Sequence, residues 1–463
     1  MLKRKMYDTL LEWKARKHKC LLLTGQRQVG KTYLVEAFAD AEYKNHITIN
    51  FSDSPQLESI FEGDITAEEI LRRLTLHFGS DSIVEGETLL FLDEIQDGKR
   101  AFAALKQLSI YGKIDVIASG SLLGVRIPQM NGKGKSETDS IEALMPMGYE
   151  EPVVMYPMDF EEYLWARGIS DDIISGVRAC IHEKQSIDSA TYERLTSLYR
   201  EFLIVGGMPE AVREYVETRD FRPVSRVQAE LVSSCIRDIN RYNSGNDRIR
   251  TAECFESIPY QLADTNRKFM YSRIAGESGR RSSDKYMENL LWIKGAGYGN
   301  FCYGVTQPAL PIGKNVKRDL FKVYLSDTGL LLQMYGDKAR LAAYNGDHSY
   351  NFGAVAENAV ANNLVKNGLK LFYYVNKKGE GKMELDFLTE FWSGIAAIEV
   401  KSGAARMARS LSKVNDYFPV KRRIMFEESN IRVDEEGIEH YPLFASAFIK
   451  DMDEEHEGPT FSY

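Results

Sequence analysis

Gly25-Gln26-Arg27-Gln28-Val29-Gly30-Lys31-Thr32 decides how the rest of the chain is read. It follows the apolar run Cys20-Leu21-Leu22-Leu23-Thr24 and leads into Thr32 to Ala39, where apolar residues recur at helical spacing. A buried strand therefore runs through a glycine loop into an amphipathic helix. The G-x-x-x-x-G-K-[ST] spacing has a mechanical cause. Glycines let the main chain wrap around anionic oxygens with its N–H groups turned inward, and the helix directs its positive dipole end at the same phosphates. Lys31 is expected to reach the β- and γ-phosphates of a nucleotide, and Thr32 to ligate Mg²⁺.

The next apolar run, Thr88-Leu89-Leu90-Phe91-Leu92, delivers Asp93 to the Mg²⁺ shell and places Glu94 one residue on, where it can polarise an attacking water. That adjacent glutamate marks a hydrolytic site. No Asn/Thr-Lys-x-Asp guanine-reading motif appears, so ATP is preferred over GTP. Ile114-Ala118 leads to Ser119, expected to put a hydroxyl near the γ-phosphate as a sensor. With His46-Phe51 and Val153-Tyr156 these runs alternate with helical stretches at Ala67-Phe78 and Ala101-Ile110, which implies an α/β domain with a parallel sheet. Arg126 to Asp139, rich in Gly, Lys and Ser, is expected to be a mobile surface loop.

The remainder changes character twice. From Asp159 to about Arg241 the pattern is helical, as a lid over a nucleotide domain would be. Ile249 to Tyr344 holds short helices and a β-prone return, as in a winged-helix module, and Gly353 to Phe448 reads as a second α/β domain. The expected division is an ATPase core over residues 1–158, a helical lid over 159–245, a winged-helix-like domain over 246–345, a further α/β domain over 346–450 and an acidic tail over 451–463. A chain of 463 residues supports about two to four such cores.

In the last domain, Glu384-Leu385-Asp386-Phe387-Leu388 and Ile398-Glu399-Val400-Lys401 place Asp386 on one strand and Glu399 and Lys401 on one face of the next. Two carboxylates can hold a divalent metal, and a lysine beside them can orient water for attack on phosphorus. Glu357, on the preceding helix, offers a third carboxylate. This set is similar to the PD-(D/E)xK nuclease core, with Leu385 where a proline is usual. The competing reading is a nuclease-like fold that has lost its chemistry.

The chain excludes several classes. Its 59 basic and 67 acidic residues give a net charge of −8, so no global basic field draws in nucleic acid. Lys314, Lys317, Arg318 and Lys322, with Arg267-Lys268 and Arg280-Arg281, are a local basic set compatible with double-stranded DNA. No apolar run approaches the ~20 residues of a membrane helix, and the start, Met1 to Asp8, lacks a secretory signal. The five scattered cysteines form no Cys-x-x-Cys pair, so reduced thiols and a cytoplasmic location are expected.

Gly25 to Thr32, Leu92-Asp-Glu-Ile-Gln96 and Ser119-Gly-Ser-Leu-Leu123 together resemble a prokaryotic AAA-type ATPase family of largely unassigned role. So do Pro157 to Leu164, Val205-Gly-Gly-Met-Pro-Glu-Ala211 and Lys322-Val-Tyr-Leu-Ser-Asp-Thr-Gly-Leu330, which extends the resemblance over most of the chain. It implies an AAA-type P-loop core, a nucleotide-coupled turn at Gly207-Met208-Pro209 with Pro209 beside the nucleotide, and a restriction-endonuclease-like end. The cofactors implied are ATP and Mg²⁺. The partner is double-stranded DNA in one reading and a protein in the other, and an oligomer is compatible with both.

Overall fold

The computed structural model describes residues 2–16, 19–63, 66–121, 148–264, 267–275, 283–347, 352–377, 379, 381–403 and 409–453. The expected loop at Arg126 to Asp139, the Arg280-Arg281 pair and the tail beyond Asp453 lie outside them. The chain forms two compact units, one of Lys3–Tyr156 with Gly295–Gly297, the other of Pro157–Lys294 with the chain from Tyr298 onward.

In the first unit, α1 (Lys5–Ala15), β1 (Cys20–Gly25), α2 (Lys31–Glu42), β2 (Asn45–Asn50), α3 (Ala67–Phe78), β3 (Thr88–Asp93), α4 (Lys99–Tyr111), β4 (Asp115–Ser121) and β5 (Glu150–Met155) follow one another. The strands form one sheet in the order β2-β3-β4-β1-β5, every neighbouring pair parallel. A parallel sheet covered on both faces is built from continuous apolar strands, which is why Leu21-Leu22-Leu23 and Leu89-Leu90-Phe91-Leu92 are fully apolar and buried. Leu22, Ile49, Leu90 and Leu92 meet Ile70 and Leu74 of α3 and Leu105 and Leu108 of α4 in one core. The Thr66 side chain accepts from the Glu69 N–H and starts α3.

In the second unit, α5 (Phe160–Ala166), α6 (Asp171–Glu183), α7 (Ser189–Val205), α8 (Pro209–Thr218), α9 (Phe221–Tyr242) and α10 (Gly245–Leu262) come first. A capping box opens α5: Asp159 accepts from Glu162 N–H at 2.9 Å while Glu162 accepts from Asp159 N–H at 3.0 Å. After α11 (Ser283–Gly295) come the strands β6 (Gly299–Val305) and β7 (Val316–Leu325), then helices α12 (Thr328–Tyr335), α13 (Asp337–Asn345) and α14 (Phe352–Lys366). The chain closes with β8 (Phe372–Asn376), β9 (Met383–Phe391), β10 (Gly394–Val400), α15 (Arg409–Tyr417), β11 (Arg422–Glu427), β12 (Arg432–Val433) and β13 (Glu439–Pro442).

All eight strands belong to one mixed sheet, ordered β12-β13-β11-β10-β9-β8-β6-β7. The β6–β7 hairpin pairs with β8 through the parallel register Tyr303↔Phe372 and Val305↔Tyr374. The expected boundary between residues 345 and 346 therefore falls between strands of a single sheet. No helix among the described residues is long and apolar enough to cross a membrane.

Candidate functional site

The phosphate loop leaves β1 at Gly25, where a Cβ would stand 2.4 Å from the Met155 carbonyl oxygen, so only glycine passes there. Gly30 enters α2 at φ +90, a left-handed value that glycine adopts without strain. Lys31 is buried, and its ammonium donates to the carbonyl oxygens of Gly25 and Gln26, both at 3.1 Å. Val29 is held from outside the loop: Arg4 donates to the Val29 carbonyl at 2.9 Å and to that of Tyr156 at 2.8 Å.

Three donors converge on Asp93. Thr32 Oγ1 donates to Oδ2 at 2.9 Å, Asn50 Nδ2 donates to Oδ2 at 3.0 Å, and the Ser119 hydroxyl donates to Oδ1. The sheet order explains the convergence. Asn50 ends β2 in register with Asp93, and β4 lies between β1 and β3, so Ser119, near its end, arrives between the phosphate loop and the acidic pair. Glu94 follows at φ +50, a left-handed conformation costing on the order of 1–3 kcal/mol for a residue with a side chain. The Gln96 amide donates to Glu94 Oε2.

The second unit holds another charged cluster. Glu399 sits on β10 one step beyond the Ile398↔Phe387 pair, which sets it across from Asp386 of β9. Lys401 meets Glu399 at 3.2 Å, and Asp386 Oδ2 accepts the Val400 N–H at 2.9 Å. Burial, reinforced by Asp386, raises the Glu399 carboxyl above its usual range. Burial also opposes the Lys401 charge, but Glu399 and Asp386 outweigh it and hold the ammonium above its ordinary value. Glu357 of α14 is 0 % exposed. Its Oε1 accepts from Lys322 at 2.9 Å and from the Tyr324 hydroxyl. Arg267 meets Oε2 as an ion pair.

Two cations and a phenol surround the carboxylate of Glu357, the residue expected as a third metal ligand. One expectation is corrected here. Lys322 is not part of an exposed basic set: it is 1 % exposed, and burial pulls its ammonium below the usual range. Lys314, Lys317 and Arg318 are exposed.

Residues 17–164 match a family model described as an AAA domain. The first unit carries an AAA-type P-loop ATPase domain. Residues 196–341 and 352–444 match two further models, each described as a domain of unknown function (DUF8612 and DUF4143). No curated protein matches the chain. Among solved structures, a Walker-type ATPase of Pyrococcus abyssi is 15% identical and aligns over 72% of this chain and 96% of its own, with a TM-score of 0.44. AMPPCP-bound DnaA from Aquifex aeolicus is 14% identical over 63% of this chain and 86% of its own, with a TM-score of 0.28.

Of the residues expected to serve ATP, Gly25 to Thr32, Asp93, Glu94 and Ser119 come together in the AAA domain. Pro209 belongs to the second unit, as the first residue of α8. The turn before it is fastened internally: Gly207 N–H donates to Asp327 Oδ2 at 2.6 Å, and Met158 N–H donates to the Gly207 carbonyl at 2.7 Å. A Cβ on Gly207 would lie 2.0 Å from the Met158 carbonyl oxygen. Asn50, Gln96 and Arg4 were not singled out from the sequence. For Asn50 a signal existed, a polar residue ending a strand parallel to the one that carries Asp93.

Proposed function

We propose that this chain is an ATP-hydrolysing switch, in which the nucleotide state of the AAA domain governs what the second unit presents to a partner. The observation that carries this reading is the convergence of Thr32, Asn50 and Ser119 on Asp93, with Glu94 beside it. Lys31 donates to two loop carbonyls, and phosphate oxygens are stronger partners for the same ammonium. Thr32 and Asp93 are the residues that would hold Mg²⁺, which neutralises charge on the β- and γ-phosphates when bound. Glu94 takes the proton of the attacking water. Ser119 lies within reach of the Asp93 carboxylate and carries the state of the γ-phosphate into β4. Gln96 fixes the direction of the Glu94 carboxylate until water and phosphate are in place.

A partner-binding role for the second unit is supported by the clasp of Asp327 on the Gly207-Met208-Pro209 turn and by the acidic composition of the chain. A second reading, a DNA-acting nuclease-like end under ATP control, is favoured by one observation. From α14 to β11 the order is helix, three antiparallel strands, helix and a parallel strand, with Asp386, Glu399 and Lys401 adjacent at the centre.

ATP turnover in Mg²⁺, with and without double-stranded DNA, separates the two for wild type, Glu94→Gln and Asp386→Ala. The switch predicts turnover that DNA leaves unchanged and that only Glu94→Gln abolishes. DNA-stimulated turnover together with DNA nicking lost in Asp386→Ala would replace it with the second reading. No turnover in the wild type would sink both.

A further inference from the structure

The divalent ion implied by a nuclease-like end does not fit the carboxylates of the second unit. A hard cation needs free oxygen lone pairs at about 2.1 Å for Mg²⁺, and the Glu357 carboxylate is already neutralised: Lys322 and Tyr324 donate to one oxygen, and Arg267 forms an ion pair with the other. Asp386 has turned Oδ2 to the Val400 N–H, and Glu399 is engaged by Lys401. Among the described residues no group of three His, Cys, Asp or Glu side chains is arranged to hold a metal.

Charge points the same way. Glu357, Asp386 and Glu399 are matched one for one in formal charge by Arg267, Lys322 and Lys401. A further dication would leave unpaired positive charge in a buried place, where uncompensated charge is expensive. Lys322 is a fixed member, 1 % exposed with its ammonium 5.0 Å from the centre of the Tyr373 ring. Arg267 is the more accessible one, its side chain 25% exposed.

We propose that Arg267 and Lys322 take the place of the divalent cation, so that the second unit keeps nuclease-like carboxylates in an internally neutralised, metal-excluding centre. Both substitutes precede the helix-and-strand order that begins at α14. Lys322 lies on β7, which gives the β6–β7 hairpin a chemical reason to be built into the sheet: it delivers the ammonium to Glu357. The inference concerns the second unit alone and does not depend on ATP hydrolysis.

The test uses the full chain without nucleotide and Mn²⁺ as the probe, followed by loss of the free-ion electron paramagnetic resonance signal. Wild type is expected to take up no Mn²⁺ that Asp386→Asn removes, which sets aside any weak binding at Asp93. Arg267→Gln/Lys322→Met is expected to gain one Mn²⁺ per chain, lost again on adding Asp386→Asn. Stoichiometric uptake by the wild type that Asp386→Asn abolishes would overturn the proposal, and so would a folded double variant that binds none. Circular dichroism reports folding. If the double variant is unfolded, Arg267→Gln alone decides: new uptake sensitive to Asp386→Asn sustains the proposal, and its absence overturns it.

Discussion

Two buried lysines among the described residues, Lys31 and Lys322, are held by partners of opposite kinds. In the AAA domain Lys31 donates to the carbonyl oxygens of Gly25 and Gln26. In the second unit Lys322 is bound to Glu357, which Tyr324 and Arg267 also hold. Main-chain carbonyls are partners that phosphate can displace, whereas a buried carboxylate neutralised from three sides leaves nothing for a ligand to gain. The first arrangement holds its ammonium on partners that anionic oxygen can replace. The second is a closed one whose electrostatic needs are met within the chain.

The largest effect that sharpens this contrast is expected from Glu94→Gln. Removing a general base typically lowers turnover about 10²–10⁴-fold, while Mg-ATP binding should persist, because Lys31 and Thr32 are untouched. Phosphate release and nucleotide binding, measured side by side, check it. Binding lost along with turnover would show that Glu94 holds the loop together instead.

Next is the closed site. Glu357→Ala strands Lys322 in the interior, and breaking a buried pair costs about 3–5 kcal/mol. The midpoint of chemical unfolding of the second unit should fall accordingly. Lys322→Met/Glu357→Gln, which removes both buried charges and leaves only the partly exposed Arg267 without Glu357, should recover part of the loss. Equal destabilisation by the single and double variants would break the picture of a mutually neutralised pair.

For the phosphate-loop site, Mg-ATP at a hundredfold excess over its dissociation constant stabilises the folded state by about 2.7 kcal/mol. The thermal shift in wild type should vanish in Lys31→Ala. A shift that survives would mean that the lysine is as dispensable there as the loop carbonyls.

The smallest effect lies at the far edge of the large sheet, where His440 of β13 faces Glu427 at 2.8 Å and Asp434 at 3.0 Å. Burial opposes the imidazolium, but the hydrogen bonds to both carboxylates outweigh it and raise the His440 pKa. Despite burial, its bonds to His440, Ser429 and Arg432 hold Glu427 down to about 2. A raised histidine stabilises fully below its unfolded value, about 6.5, and loses that contribution as pH rises through its folded value. A depressed glutamate stabilises above its unfolded value, about 4.3, and loses it as pH falls through about 2. Hydrogen exchange along β12–β13 should therefore be slowest, after correction for intrinsic rates, between the two unfolded values. His440→Gln should flatten the alkaline arm. An unchanged arm would assign the pH dependence elsewhere.

The phosphate-loop site was legible in the sequence because it is local. Gly25 to Thr32 is one continuous loop, and Leu89 to Asp93 announces a buried strand by its unbroken apolar run, as covered parallel strands must. Asn50 was harder, since the polar end of His46-Ile47-Thr48-Ile49-Asn50 points to Asp93 only once the register is known. The closed site was legible in its carboxylates and not in their partners. Glu384 to Lys401 displays Asp386, Glu399 and Lys401 within one β-hairpin, but Lys322 and Arg267 lie 35 and 90 residues before Glu357. In Lys322-Val323-Tyr324-Leu325, alternation allows Lys322 either face of the sheet, and composition alone favours the wet one. The parallel pairing of β6 with β8 was hidden for the same reason, since three helices intervene.

That pairing also bears on inheritance. Residues 299–305 and 372–376 lie on opposite sides of what composition presents as a module border, yet each supplies the other with main-chain partners. Severing the chain near residue 345 would bare a strand edge on both fragments, ready to pair with foreign strands. Recombination at that point would disperse a single cooperative body, so the hairpin and the acidic end are expected to be shuffled, lost or duplicated together.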